Sequence, residues 1–223
     1  MAATHPQAST IPTANPQGAD AFLEAMLNRR SIYSLKNTSP VPDSRIEEIV
    51  SHVIKHTPAP FNVQSARAVV LLKAEHEKFW TMMADHVKTT VDERGWAFFK
   101  PKLDEYKTGY GSVLFFEDQT TLDATCDDMK AKGRGAVTVK VPTWNLHSTG
   151  MHQYACWTAF AAEGFGCNLQ HYDGYIDDEI IKEWGLSEGW KLQAQLVFGT
   201  PTGGPRMEKT FKPIEERVKV FGA

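Results

Sequence analysis

The chain has 223 residues, of which 42% are hydrophobic and 23% charged, with a formal net charge of −3. Those are the ordinary values of a globular protein long enough to bury a core without disulfides or metals. They exclude a basic nucleic-acid surface, since Lys and Arg are scattered rather than striped. No apolar run reaches the roughly 18 residues that a membrane span needs. Three well-separated cysteines, Cys126, Cys156 and Cys167, include no C-x-x-C pair. This argues against a disulfide framework or a zinc site and fits a reducing compartment, so a cytoplasmic location is expected, with the nucleus as an alternative. The first Lys or Arg is Arg29, and no apolar signal core precedes it, so neither a secretory nor a mitochondrial leader is expected.

Residues 1–18 are mostly Ala, Thr, Pro, Gln and Ser and read as a flexible tail, leaving 19–223 as one domain. A first helix is expected from an N-cap at Asp20, with Phe22, Leu23, Met26 and Leu27 on one stripe. A second follows Pro42 through a Ser44-x-x-Glu47 capping box, carries Ile46, Ile49, Val50, Val53 and Ile54, and stops before Thr57-Pro58-Ala59-Pro60. Ala68 to Leu72 reads as a buried strand and Ala74 to Thr90 as a helix. The stretch around Trp96, Phe98 and Phe99 reads as irregular, and Val113 to Phe116 as a second buried strand. A helix from Gln119 to Lys130 then gives way to a Gly133-Arg134-Gly135 loop. A long helix from Asn145 to Glu163 offers Met151, Tyr154, Ala155, Phe160 and Ala161 for packing. Cys167 to His171 is a short strand and Asp177 to Trp184 a helix. Trp190 to Leu196 alternates apolar and polar residues with period two, the clearest strand pattern in the chain. Phe211 to Phe221 is a closing tail. Few strands among many helices define an α+β fold, and the sheet order does not follow from the pattern.

Several motifs are missing. There is no G-x-G-x-x-G fingerprint, P-loop, H-E-x-x-H or G-x-S-x-G, which removes support for a Rossmann dehydrogenase or a serine hydrolase. His52 and His56 are four residues apart on a helix but lack a third ligand.

Four short segments carry chemistry. Arg29-Arg30-Ser31 offers two guanidinium forks and a hydroxyl suited to phosphate, or else a cationic helix C-terminus. Asn62-Val63-Gln64-Ser65 supplies amides that can pair with the edge of a heterocycle, or simply turn the chain. Gly164-Phe165-Gly166 leads into Cys167-Asn168-Leu169-Gln170-His171-Tyr172, where a left-handed glycine would cap the helix before it. Lys209 follows a Gly/Pro-rich loop and has no role by itself.

In this order the segments resemble the nitroreductase family of flavoproteins, and its fungal branch in particular. The resemblance rests on Arg29-Arg30-Ser31, on Pro58 to Gln64, on Gly164 to His171, and on Gly199-Thr200-Pro201 followed by Lys209. The fungal branch is similar at Arg30-Ser31-Ile32-Tyr33, Asn168 to Tyr172 and Pro213 to Val218. It covers about residues 20–223. It implies a central, mostly antiparallel sheet flanked by helices, in an intertwined homodimer with FMN at the subunit interface. Arg29 and Ser31, helped by Arg30 and Lys209, would contact the phosphate or ribityl chain. Asn62 and Gln64 would lie along the ribityl and isoalloxazine, and Leu169, Gln170 and His171 would sit near the reactive N5, largely through backbone donors. No side chain is expected to be catalytic, because the flavin carries the chemistry.

The implied activity is a ping-pong transfer of hydride from NADH or NADPH to a nitroaromatic, a quinone or a similar small acceptor, with Trp96 to Phe99 as a lid. The alternatives are a dehalogenase or desaturase on the same fold, and a flavin-binding sensor in stress or lipid signalling. The sequence departs from the common bacterial pattern at Tyr33, where a further Arg is frequent, at Ser65-Ala66 in place of Pro-Trp, and at Phe211 in place of a basic residue.

Overall fold

The structure is a computed structural model that describes residues 18–222, so the tail expected over residues 1–18 lies, Gly18 apart, outside the described residues. In chain order the elements are α1 (Asp20–Asn28), β1 (Leu35–Lys36), α2 (Asp43–His56), β2 (Ala66–Leu72), α3 (Ala74–Thr90), α4 (Glu93–Tyr106) and β3 (Gly111–Asp118). They continue with α5 (Gln119–Ala131), α6 (Gly135–Thr138), α7 (Val141–Ala162), β4 (Gly166–Gln170), α8 (Asp177–Glu183) and β5 (Trp190–Pro201). The strands form a sheet in which β2, β3 and β5 lie side by side, and β4 and β1 each pair with β5 as well. Every strand pair is antiparallel. An isolated parallel bridge joins Ser31 to Cys167.

The sheet is covered on both faces. Alternate residues of β3 go opposite ways, as the strand pleat requires. Leu114 and Phe116 pack with Phe79, Trp80, Met83, Leu103 and Tyr106 of α3 and α4. Val113 and Phe115 pack with Ile46, Val50 and Phe160 of α2 and α7. β5 departs from the simple period-two reading. Its register against β3 slips between Phe115 and Phe116, which face Ala194 and Leu192, so Gln193 is an extra residue. Such a bulge switches the side that each later residue faces. Leu192 therefore joins the first cluster and Ala194 the second. Gln195, which the alternation places among the solvent-facing polar positions, is fully buried.

Other expectations are corrected in detail. Asp20 is the first helical residue rather than the cap, which is Ala19. The Ser44–Glu47 capping box does not form. Pro42 is the N-cap of α2 and offers no side-chain acceptor. The stretch around Trp96 is a regular helix, begun by Asp92, whose carboxylate accepts the N–H of Gly95, and it contains Pro101. Gly135 opens the short helix α6 instead of belonging to a loop. β2 forms where expected, but as an edge strand it buries only Leu71 fully.

α7 starts four residues early and turns an unexpected face inward. Asn145, Ser148, Thr149 and His152 are buried while Trp144, Leu146 and Met151 are exposed. Of the five residues expected to pack, Phe160 alone is fully buried. Its end is a complete Schellman cap. The N–H of Phe165 bonds the carbonyl of Phe160, that of Gly164 bonds Ala161, and Gly164 takes the left-handed φ of 90°.

Candidate functional site

α1 ends at Asn28, and the chain then runs extended alongside β4, where the N–H of Ile32 bonds the carbonyl of Cys167 at 2.8 Å. This seats Arg29, Arg30 and Ser31 at the sheet edge. The segment after β5 returns to the same place. A guanidinium nitrogen of Arg30 donates to the carbonyl of Met207, and Lys209 Nζ lies 3.4 Å from the carbonyl of Leu27. Between them is a cleft of ≈ 670 Å³, within the usual size of small-ligand sites.

The cleft brings together five of the residues singled out in the sequence: Arg29, Arg30, Ser31, Gln170 and Lys209. Tyr33, Lys102, Tyr106 and Arg206 complete much of its wall. Lys102 and Arg206 had no signal in the sequence. They come from α4 and from a loop that reads as a Gly/Pro-rich spacer, and the fold alone puts them here. Arg206 stacks over the ring of Tyr33, 4.3 Å from its centroid, and is ion-paired with Glu105. A cation is thus restored close to the position where Tyr33 replaces the frequent Arg. Of the expected aromatic lid, Trp96 and Phe99 pack against the core, while Phe98 is exposed with its ring under Lys102, which lines the cleft together with Tyr106.

The cleft is predominantly cationic: Arg29, Arg30, Lys102, Arg206 and Lys209 line it beside a single lining carboxylate, Glu208. Among the described residues no carboxylate pairs with Arg29, Arg30, Lys102 or Lys209. Desolvation, followed by repulsion from Arg29 and Arg30, holds the Lys209 ammonium below its ordinary pKa. Arg29 Nε is buried and has no hydrogen-bond partner among the described residues. Like charges gathered this way call for an anion carrying several acceptor oxygens.

Asn62, Gln64, Leu169 and His171 do not line this cleft. Leu169 packs on the α2–α7 side of the sheet, and His171 is exposed just past β4. Asn62 and Gln64 sit in a strained turn. Phe61, Asn62 and Gln64 all have φ of 53°, and a left-handed non-glycine residue costs on the order of 1–3 kcal/mol. Val63 anchors the turn in a small cluster with Leu122, Cys126 and Met129. Behind it lies the buried Glu117, hydrogen-bonded to Thr149, whose carboxyl is held above its ordinary pKa by burial.

The fold and the cleft together define an α+β protein with a predominantly cationic cleft at a sheet edge. The nitroreductase family model matches residues 26–200. Nitroreductase FRM2 of Saccharomyces cerevisiae is 35% identical over 194 residues, covering 85% of this chain and 92% of the yeast protein. HBN1 of the same yeast is 35% identical over 202 residues, covering 90% and 96%. Nitroreductase CinD from Lactococcus lactis, solved with nicotinic acid, superimposes with a TM-score of 0.80 at 32% identity, covering 90% of this chain and 99% of its own. A nitroreductase with bound FMN from Desulfitobacterium hafniense shares the fold at a TM-score of 0.62 and 13% identity, covering 89% and 97%. The chain belongs to the nitroreductase family, on its fungal branch, and has the nitroreductase-like fold.

Proposed function

We propose that the chain is an FMN-dependent oxidoreductase that passes reducing equivalents from NADH or NADPH to a small electron-poor acceptor, as a homodimer. The observation that carries this reading is the convergence of Arg29, Arg30 and Lys209, none of them ion-paired with a carboxylate among the described residues. A phosphate monoester satisfies all three, and the hydroxyl of Ser31 adds a neutral donor. The orphaned Nε of Arg29 fits such a group as well.

Bound FMN supplies two-electron transfer at its ring, while the chain's residues bind, orient and shield it. Arg29, Arg30, Ser31 and Lys209 hold the phosphate end, and Tyr33, Tyr106 and Gln170 flank the space beyond it. Asn62 and Gln64, outside this cleft, complete the site of the second subunit. Exposed apolar residues of α1 and α7 support that arrangement. One pocket used in turn by nucleotide and acceptor gives a ping-pong cycle and requires no dinucleotide fingerprint. CinD, a relative at 32% identity, has been solved with nicotinic acid and with 4-nitrophenol. Flat aromatic ligands of these kinds fit the use of this cleft by a nicotinamide and then a nitroaromatic.

The test is an anaerobic titration of purified protein loaded with FMN. Bleaching of the flavin band by NADH or NADPH, and its return with a nitroarene or quinone, is the expected result. Protein that takes up no FMN removes the reading. Flavin that binds but is not reduced by either nucleotide favours a sensor over an enzyme.

A further inference from the structure

Three side-chain and backbone groups fix which end of Gln170 meets the ligand. The carbonyl of Ile32 can only accept a hydrogen bond, and the Asn168 amide nitrogen lies 3.0 Å from it. The amide of Asn168 therefore has one admissible orientation, NH₂ toward Ile32 and Oδ1 away. Oδ1 lies 2.8 Å from the Gln170 amide nitrogen. An oxygen acceptor there requires Gln170 to turn its NH₂ to Asn168, which leaves Oε1 as the free end. Asn168 is 1% exposed, so water does not compete for the relay. Gln195, opposite Gln170 on β5, does not capture that oxygen. Its own Oε1 accepts the N–H of Tyr172 at 2.9 Å, and its buried Nε2 has no partner among the described residues.

The placement of Gln170 gives this orientation a chemical meaning. Cys167 is bridged to Ser31, next to the phosphate-binding arginines. Gln170 is three residues further along the strand, about 10 Å at ~3.3 Å per residue, and lines the same cleft with Tyr33 and Tyr106. On the FMN reading, a phosphate held by the arginines leaves Gln170 toward the ring end of the cleft. Oxidised isoalloxazine carries a lone pair at N5. Addition of two electrons and a proton gives the reduced ring an N–H there. An acceptor fixed at that depth repels the first and bonds the second.

We propose that Gln170 is a redox-selective contact that favours reduced over oxidised flavin, and that Asn168 is the positioning residue that locks its amide through Ile32. The proposal rests on the FMN reading above. Gln170→Leu removes the acceptor at a half-buried position and leaves the core intact. Asn168→Leu keeps the acceptor but releases it to rotate.

The measurement is the midpoint potential of bound FMN, together with dissociation constants for oxidised and reduced FMN under anaerobic conditions. For Gln170→Leu the affinity for reduced FMN should fall about tenfold relative to that for oxidised FMN, the effect of one hydrogen bond. A tenfold change corresponds to a potential about 30 mV more negative for a two-electron couple. Asn168→Leu should move it the same way by less. A Gln170→Leu protein that binds FMN with an unchanged ratio, or loses both redox forms equally, overturns the proposal and leaves the FMN reading standing. Wild-type protein that binds no FMN overturns both.

Discussion

The guanidinium of Arg29 lies over the indole of Trp157, its central carbon 4.4 Å from the ring centroid. Trp157 belongs to α7 and Arg29 follows α1, so the stack joins two elements that meet beside the cleft. One face of the guanidinium is occupied by the ring, which leaves its N–H edge free for a ligand. A partly desolvated cation–π contact contributes about 0.5–2 kcal/mol. If the stack holds Arg29 ready for phosphate, Trp157→Leu should weaken FMN binding about three- to thirtyfold, while Trp157→Phe, which keeps an aromatic face, should lose less. Fluorescence titration of the apoprotein with FMN measures both. Equal affinity in wild type and Trp157→Leu would show that Arg29 does not depend on the stack.

Arg29→Ala removes the charge itself. Hydrogen bonds to charged groups contribute about 1.5–3 kcal/mol, so a loss of roughly 10- to 150-fold in FMN affinity is expected, enough to give flavin-poor protein on purification. Lys209→Met should lose less, because the ammonium is exposed and repelled by its two neighbours. Comparing the flavin-to-protein absorbance ratio of the two purified variants checks the order. Full flavin content in Arg29→Ala would sink the phosphate assignment.

Much of this architecture is written locally in the chain, and the exceptions have physical causes. α3 spans Ala74–Thr90 as its pattern predicts, because Phe79, Trp80, Met83 and Val87 all turn to one sheet face. α4 escapes the pattern because Gly95 and Pro101 read as breakers, although Asp92 three residues before Gly95 is a cap signal. In β5 the period-two pattern signals the strand correctly but assigns the wrong faces, since one bulge residue reverses them. The site divides the same way. Arg29-Arg30-Ser31 is visible as a motif, yet its meeting with Lys209, some 180 residues on, depends on the sheet edge that both segments share. Lys102 and Arg206 are charged residues of ordinary surface type, and nothing local distinguishes them.

His76 provides a test of the core by pH. Its ring is fully buried, with Nδ1 3.0 Å from Ser112 Oγ and Nε2 3.1 Å from the Tyr106 carbonyl. Desolvation lowers its pKa from 6.5 to about 4. The folded state then binds fewer protons than the unfolded state between those values. The neutral ring's contribution is therefore full above pH 6.5 and lost as pH falls toward 4. Burial shifts His152 in the same direction. The His76 shift corresponds to a loss on the order of 3 kcal/mol across that window. Urea midpoints at the two ends of the range should separate in wild type and draw together in His76→Asn. Equal acid sensitivity in the two proteins would place the effect on other groups.

The surface of α1 bears on whether the site is built from two chains. Phe22, Leu23, Met26 and Leu27 are 60%, 54%, 38% and 68% exposed, so the helix's apolar stripe finds no partner within the described chain. Phe61, beside the strained Asn62–Gln64 turn, lies 6.2 Å from the ring of the partly exposed Trp144. Contiguous apolar surface of this kind marks an interface rather than a solvated face. In the homodimer proposed above, a second copy covers the stripe and presents its own Asn62 and Gln64 to the Arg29–Lys209 cleft. Phe22→Glu with Leu27→Glu should then convert a dimer to a monomer by sedimentation, with FMN affinity falling as the second chain's contribution is lost. The arginines remain in place in that variant, so residual weak binding that tightens at high protein concentration is the expected signature. A wild-type monomer at micromolar concentration that still holds FMN would mean that one chain completes the site, and Asn62 and Gln64 would then have no place in it.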